Sequence, residues 1–234
     1  MIKLYQFPSA FGLPNASPFC MKTEVMLKML ELPYEIVPTS NPKVGPKGKL
    51  PFIEDEDGAR VADSEIIRQH LEKKTGRDLD QGLSAEERAT AHAFARMLEE
   101  RTYFIMLQNR WDDEKNWPIV RKTFFSDMPV LIRNWTFGKM QKRMRAALYY
   151  QGTGRHGPDE IAAFGKADIK AASTFLGDKK FFMGEQPTSV DATAYPFLIG
   201  FAIEPFPSPV QDEIRKHPNL MGYMDRMRRK FYPQ

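Results

Sequence analysis

The chain changes character near Gly76, and that change limits what it can fold into. I-K-L-Y-Q-F (2–7) reads as a strand, and a helix follows from Pro18 to about Leu30, with Val25, Met26, Met29 and Leu30 on its buried face. Y-E-I-V-P (34–38) reads as a second strand. T-S-N-P-K-V-G-P-K-G-K (39–49) holds too many Pro and Gly residues for a regular helix. P-F-I-E-D and R-V-A, joined by D-E-D-G, read as a hairpin that turns at Gly58. A helix from Ser64 to about Thr75 then stops at Gly76. The order is βαβ, an irregular segment, then ββα.

Beyond the polar connector 77–83 every pattern is helical. Ser84-x-x-Glu87 is a capping box that opens a helix to about Trp111. Further helices are expected over 118–125, 129–150, 158–176, 188–203, 209–216 and 218–230. The expected architecture is a small α/β domain over 1–76 and a larger all-α domain over 84–234. The apolar stretch 192–203 contains Pro196 and Gly200 and falls short of the roughly 20 residues a bilayer span needs, so it reads as a buried helix.

A single cysteine excludes an intrachain disulfide and a multi-cysteine zinc site, and the four histidines show no metal-binding spacing. No metal or organic cofactor is expected. The first strand starts within two residues of the N-terminus with no leader pattern, which fits a reducing, cytoplasmic setting. The net charge of +4 is concentrated in K-M-Q-K-R-M-R (139–145) and M-R-R-K (227–230). Neither run has a zinc-finger, RNP or basic-zipper pattern, so both read as solvated helix faces and no nucleic-acid partner is expected.

Three short stretches carry chemistry. N-A-S-P-F-C (15–20) has the spacing of C-x-x-C with Ser17 in the first position. Ser17 suits an N-cap and Pro18 the first helical turn, so this is either a plain helix start or a hydroxyl aimed at a ligand from a helix N-terminus. K-L-P (49–51) opens a strand, and a proline there, often cis, leaves the Leu50 N–H and C=O free to pair with an extended peptide. A-D-S-E (62–65) caps the next helix. Asp63 is able to accept from an ammonium group, and Ser64 with its helix end to bind a carboxylate. Together they suit a short zwitterionic peptide whose thiol meets Ser17, where hydroxyl and helix dipole favour the thiolate.

S-P-F-C-M-K-T-E, P-K-G-K-L-P-F-I-E-D, V-A-D-S-E-I-I, R-M-L-E-E-R-T-Y, E-K-N-W-P, Q-G-T-G-R-H-G and P-T-S-V-D-A-T follow one another along nearly the whole chain. In that order they resemble the cytosolic glutathione S-transferases, most closely the failed-axon-connections branch with the metaxins more distant. The resemblance implies a thioredoxin-like domain followed by the family's all-helical domain, a homodimer, and conjugation of glutathione to a hydrophobic electrophile in detoxification. Glutathione would be a co-substrate. Ser17 takes the catalytic position, Leu50 the backbone partner of the cysteinyl unit and Pro51 the cis-proline. Lys49 matches a lysine that some serine-type members direct at the glycyl carboxylate, and Asp63 and Ser64 hold the γ-glutamyl end. Asp63 is one methylene shorter than the family's usual Glu, and 39–48 is richer in Pro and Gly than the family's helix there.

Cys20 is either a packed apolar residue or the site of a mixed disulfide with glutathione. Tyr103, Phe104, Trp111 and Trp117 are either core or a second-substrate pocket; Tyr103 and Trp111 are the pocket candidates, with Arg110 a cation for the cleft. G-T-G-R-H-G (152–157) lacks the Lys-Ser/Thr ending of a phosphate loop and reads as a link between helices, with Arg155 and His156 of no assigned role. Thr188-x-x-Asp191 reads as a structural cap. Two functions stand beside transfer: a glutathione-binding scaffold without turnover, and a Cys20-dependent thiol reductase.

Overall fold

The structure, a computed structural model, describes residues 1–126, 129–203 and 205–233. In its first part β1 (Ile2–Gln6) and β2 (Tyr34–Pro38) run parallel, joined by α1 (Pro18–Met29). β3 (Phe52–Glu54) pairs antiparallel with β1 and with β4 (Arg60–Ala62), giving the order β2-β1-β3-β4, and α2 (Ser64–Thr75) follows. β1 alternates as a half-covered strand should, with Ile2, Leu4 and Gln6 buried. The Pro/Gly-rich segment forms only a short 3₁₀ turn, Pro42–Val44, capped by the Asn41 side chain. This is a thioredoxin-like domain.

The remainder is helical: α3 (Ala85–Met97), a π-helical turn (Leu98–Thr102), α4 (Tyr103–Trp111), α5 (Trp117–Phe125), α6 (Val130–Gln151), α7 (Pro158–Leu176), α8 (Ser189–Ala202), α9 (Pro209–Arg215) and α10 (Pro218–Phe231). The one long helix expected from Ser84 to Trp111 is thus interrupted by the π turn. The Ser84/Glu87 capping box forms as expected.

α8 fills the centre. Ala192, Ala194, Tyr195, Phe197, Leu198 and Phe201 are all buried, and α1 packs against this helix on the side away from the sheet. α1 is therefore buried all round from Cys20 to Leu27, well beyond the stripe expected for a helix covering a sheet on one face. A single core runs from Leu4 and Ile53 of the sheet through Met21 and Val25 to Phe197 and Leu198. Asp191 closes the start of α8: its carboxylate accepts from the Thr188 N–H at 2.8 Å and hydroxyl at 3.1 Å, and from the Phe182 N–H at 2.9 Å. Burial pushes this carboxyl up to about 6 despite those donors.

Between the two parts lies a buried ion pair. Lys22 Nζ on α1 is 2.7 Å from Glu99 Oε1 in the π turn and 3.6 Å from Glu65 on α2. Glu99 also binds Arg96 and accepts from the Thr193 hydroxyl of α8. The widened turn inserts a residue into the helical ladder, and Glu99 lies within that turn. The connector is tied down as well: Asp80 binds Arg68 of α2 at 3.2 Å and accepts from the Ser189 N–H and hydroxyl at 2.9 and 2.8 Å.

Removing one partner of a buried pair strands the other charge, typically at a cost of about 3–5 kcal/mol. Lys22→Met is expected to lose about that much in chemical denaturation, and Lys22→Met/Glu99→Gln to recover much of it. If the double variant loses as much as the sum of the singles, the pair is not the source of the stability.

Candidate active site

The sheet register collects the three chemistry-bearing stretches at one edge. Phe52 faces Tyr5 on one side and Ala62 on the other. The start of β3 thus lies between the later part of β1 and the end of β4, with Leu50-Pro51 and Asp63 the next residues beyond that end of the sheet. Both α1 and α2 begin there. Beneath them Cys20, Leu50, Phe52 and Ala62 form one buried cluster, with Tyr5 and Phe7 packed against it.

Ser17 is the N-cap of α1, and its Oγ accepts the Cys20 N–H at 3.4 Å. Asn15 sets its position. That side chain is fully buried, donates to the Phe7 carbonyl and accepts the Ser17 N–H at 2.9 Å. Asn15 escaped the sequence reading, although an Asn two residues before a helix cap is a recognisable Asx-turn signal.

Leu50-Pro51 is a cis peptide bond, and Lys49 before it is exposed. Asp63 caps α2 by accepting the Glu65 N–H at 3.0 Å, and Ser64 behind it is buried. Asp63 holds φ 86°, a left-handed backbone that only glycine adopts without strain.

Cys20 forms the floor of this site and is fully buried. Burial pushes its thiol up to about 12, outweighing the polar contacts from the Phe7 backbone and the Ser17 hydroxyl that pull it down. A thiol so held is neither ionised nor accessible, so the redox role is withdrawn in favour of the packed one.

Arg110 does not offer its charge to the cleft. Its guanidinium donates to the Ala16 carbonyl at 2.9 Å and the Gly200 carbonyl at 2.7 Å, and lies over the rings of Phe206 and Phe11. A side chain at Gly200 would meet Met106 and this guanidinium, so the close approach needs glycine. Desolvation lowers Arg110 to about 10, which still leaves it a cation at neutral pH. It is a strap from the helical domain to the residue before Ser17.

Tyr103 faces the first domain as expected, edge-on to Phe19 at 5.0 Å and to Phe104 at 5.2 Å. Trp111 lies elsewhere, stacked on Phe137 of α6 in a separate cluster that includes Val120, Phe125 and Phe206. Phe11 joins that cluster to the loop before Ser17, edge-on to Phe124 at 5.4 Å and Phe206 at 4.7 Å. It was not singled out in the sequence. Arg155 spans the link after α6, donating to the Tyr149 carbonyl at 3.0 Å, and His156 lies edge-on to Phe164.

The fold is a thioredoxin-like domain followed by a helical domain, with the three chemistry-bearing stretches gathered at one end of the sheet. The profile of the glutathione S-transferase N-terminal domain matches residues 18–116, and that of the glutathione S-transferase C-terminal domain matches 165–227. The isoprene-epoxide–glutathione S-transferase of Rhodococcus sp. is 32% identical over 99% of both chains. Failed axon connections of Drosophila melanogaster is 35% identical over the full chain, which spans 58% of that protein's length. A glutathione S-transferase structure from Rhodospirillum rubrum superposes with a TM-score of 0.62 at 18% identity, covering 100% of this chain and 91% of that one. The chain belongs to the glutathione S-transferase family.

Two measurements check the site's construction. Burial raises the Cys20 thiol and keeps it out of contact with solvent. Ellman's reagent should therefore find no thiol in the native protein and one after unfolding; a rapid native reaction would contradict the burial. At Asp63, replacing the cap by glycine costs a few tenths of a kcal/mol, while the strain it relieves is on the order of 1–3 kcal/mol. Asp63→Gly is expected to raise stability by about 1 kcal/mol, and a lower Tm would show that the backbone is not strained.

Proposed function

We propose that this protein is a glutathione transferase in which Ser17 stabilises the glutathione thiolate for attack on a hydrophobic electrophile. The observation that carries the proposal is the meeting of Ser17, the Leu50 peptide and Asp63–Ser64 at one sheet edge, beside two helix N-termini. The tripeptide lies extended along that edge, its cysteinyl unit paired with the Leu50 backbone. Its γ-glutamyl ammonium meets Asp63, the γ-glutamyl carboxylate meets Ser64 and the start of α2, and the glycyl carboxylate meets Lys49.

The thiol proton leaves to solvent, and the Ser17 Oγ–H donates to the sulfur that remains. Positive charge at the start of α1 acts in the same direction. The thiolate then forms a C–S bond to the electrophilic carbon while the bond to the leaving group, or the epoxide C–O bond, breaks and takes the electron pair. The Rhodococcus relative's name gives an epoxide as acceptor, so an aliphatic epoxide is a natural probe beside a generic aryl halide. Tyr103, edge-on to Phe19 two residues after Ser17, and Phe104 beside it are the aromatic residues we assign to such an acceptor. Following the family resemblance, we assign a symmetric cytoplasmic homodimer acting in detoxification, with glutathione as co-substrate and no other cofactor.

Loss of one hydrogen bond made to the reacting sulfur is worth about 3 kcal/mol, or roughly 10²-fold in rate. Ser17→Ala is expected to lower kcat/KM with either electrophile by that factor while glutathione still binds by calorimetry, and Cys20→Ala to keep the wild-type rate. An unchanged rate in Ser17→Ala removes its role. Binding without turnover in the wild type replaces transfer by a scaffold role, and no binding removes the glutathione site altogether.

A further inference from the structure

The end of the hairpin formed by α5 and α6 is the most apolar exposed surface among the described residues. Leu131 is 85% exposed, Trp135 64%, Val130 59% and Ile132 55%, with Phe124 beside them at the end of α5. Their neighbours Phe125 and Phe137 face the other way and are buried, so the hairpin already has its own core. Four large apolar side chains in one short stretch are therefore left over after folding is satisfied.

The charge of the same region is equally one-sided. Between Asn116 and Pro158 the sequence has eight Lys and Arg residues and one acid, a net +7 in a chain whose total is +4, so everything else sums to −3. Lys122, Lys139, Lys142 and Arg143 are exposed. Leu131, Trp135, Lys139 and Arg143 recur every four residues, so the apolar end and the basic stretch share one face of α6. Lys139 Nζ lies 3.6 Å above the Trp135 ring. The run at 139–145, which reads as a solvated face in isolation, is the continuation of an apolar tip.

We propose that this face of α6 docks on an anionic lipid surface, with Leu131, Ile132 and Trp135 entering the headgroup boundary and the lysines and arginines lying over acidic headgroups. The combination of aliphatic side chains, an interfacial tryptophan and flanking bases is what a bilayer surface selects. A second copy of the chain is disfavoured, because a symmetric contact would set two +7 segments against each other. Nucleic acid matches the charge but gives exposed Leu131 and Ile132 nothing to bury against. No helix among the described residues is long and apolar enough to cross a membrane, so the attachment is peripheral. It stands independently of the transferase assignment.

Sedimentation of the full chain with phosphatidylcholine vesicles, with and without phosphatidylserine, tests it. Binding is expected only with phosphatidylserine, weakening with added salt. Leu131→Asp/Trp135→Asp and Lys139→Glu/Lys142→Glu should each reduce it about tenfold or more. All four substituted positions are exposed, and circular dichroism checks that the variants fold. Absence of binding to the acidic vesicles overturns the proposal, as does binding that both variants retain. Light scattering and a duplex-DNA titration run beside it: an oligomer that the Leu131→Asp/Trp135→Asp variant dissociates, or DNA affinity without vesicle affinity, assigns the face to another occupant and overturns it too.

Discussion

The placement of Ser17 depends on a cation buried between two domains. Lys22 lies on α1 one turn beyond the cap, and its partners come from three other elements: Glu65 from α2, Glu99 from the π turn and, through Glu99, Thr193 from α8. Burying a lysine this completely is costly unless its charge is met. Glu99 at 2.7 Å meets it, and Glu99 is in turn held by Arg96 and Thr193. The pair fixes how the helical domain sits on α1. Arg110 adds a second tie from α4 to the Ala16 carbonyl. The hydroxyl proposed to meet glutathione thus belongs to the thioredoxin-like domain in sequence, but its position is set from outside that domain.

Cys20 is also part of this support. A fully buried thiol packed on Leu50, Phe52 and Ala62 supplies the apolar floor that brings the start of α1 against the entry to β3 and the exit of β4. Its pKa is high because burial keeps water from the sulfur, and the same burial would keep it from competing with a bound thiol in the proposed transfer. Ser17 and Cys20 in a C-x-x-C spacing therefore divide the work. The first position caps the helix and is the hydroxyl proposed to meet the glutathione sulfur, and the fourth, one helical turn on, faces the core.

What was legible in the sequence follows from the range of the interactions involved. The strands expected over 2–7 and 34–38, the helix starts at Pro18, Ser64 and Ala85, and the break at Gly76 are set by local propensity and capping, and they appear in the structure with the first strand one residue shorter, at Ile2–Gln6. The caps at Ser17 and Asp63 and the cis peptide at Leu50-Pro51 were likewise legible, because each carries its own local signal. Lys22, Asn15 and Phe11 were not. Lys22 is unremarkable in a helix until α8 and the π turn close over it, and the π turn has no Pro or Gly to mark it. Arg110 looked like a spare cation because nothing local tells a reader that Ala16 and Gly200 will offer it carbonyls. The strain at Asp63 was hidden for a similar reason: its φ of 86° is imposed by the sheet edge and helix on either side.

Phe11 connects the loop before Ser17 to α5. Its ring lies against Phe124 at the end of α5 and against Phe206, and the Arg110 guanidinium covers both Phe11 and Phe206. A load placed on the α5–α6 tip is carried through Phe124 and Phe11 to the loop that leads into Ser17. Whether such a path transmits a signal depends on its having two stable arrangements. Arg110 argues for one arrangement only. It is buried, it spends two donors on carbonyls of different domains, and moving it would expose those carbonyls or strand its charge. The path is therefore a strut. It holds the loop that leads into Ser17 in place, so the proposed docking of α6 on an anionic lipid surface is expected to leave the proposed transfer unaltered.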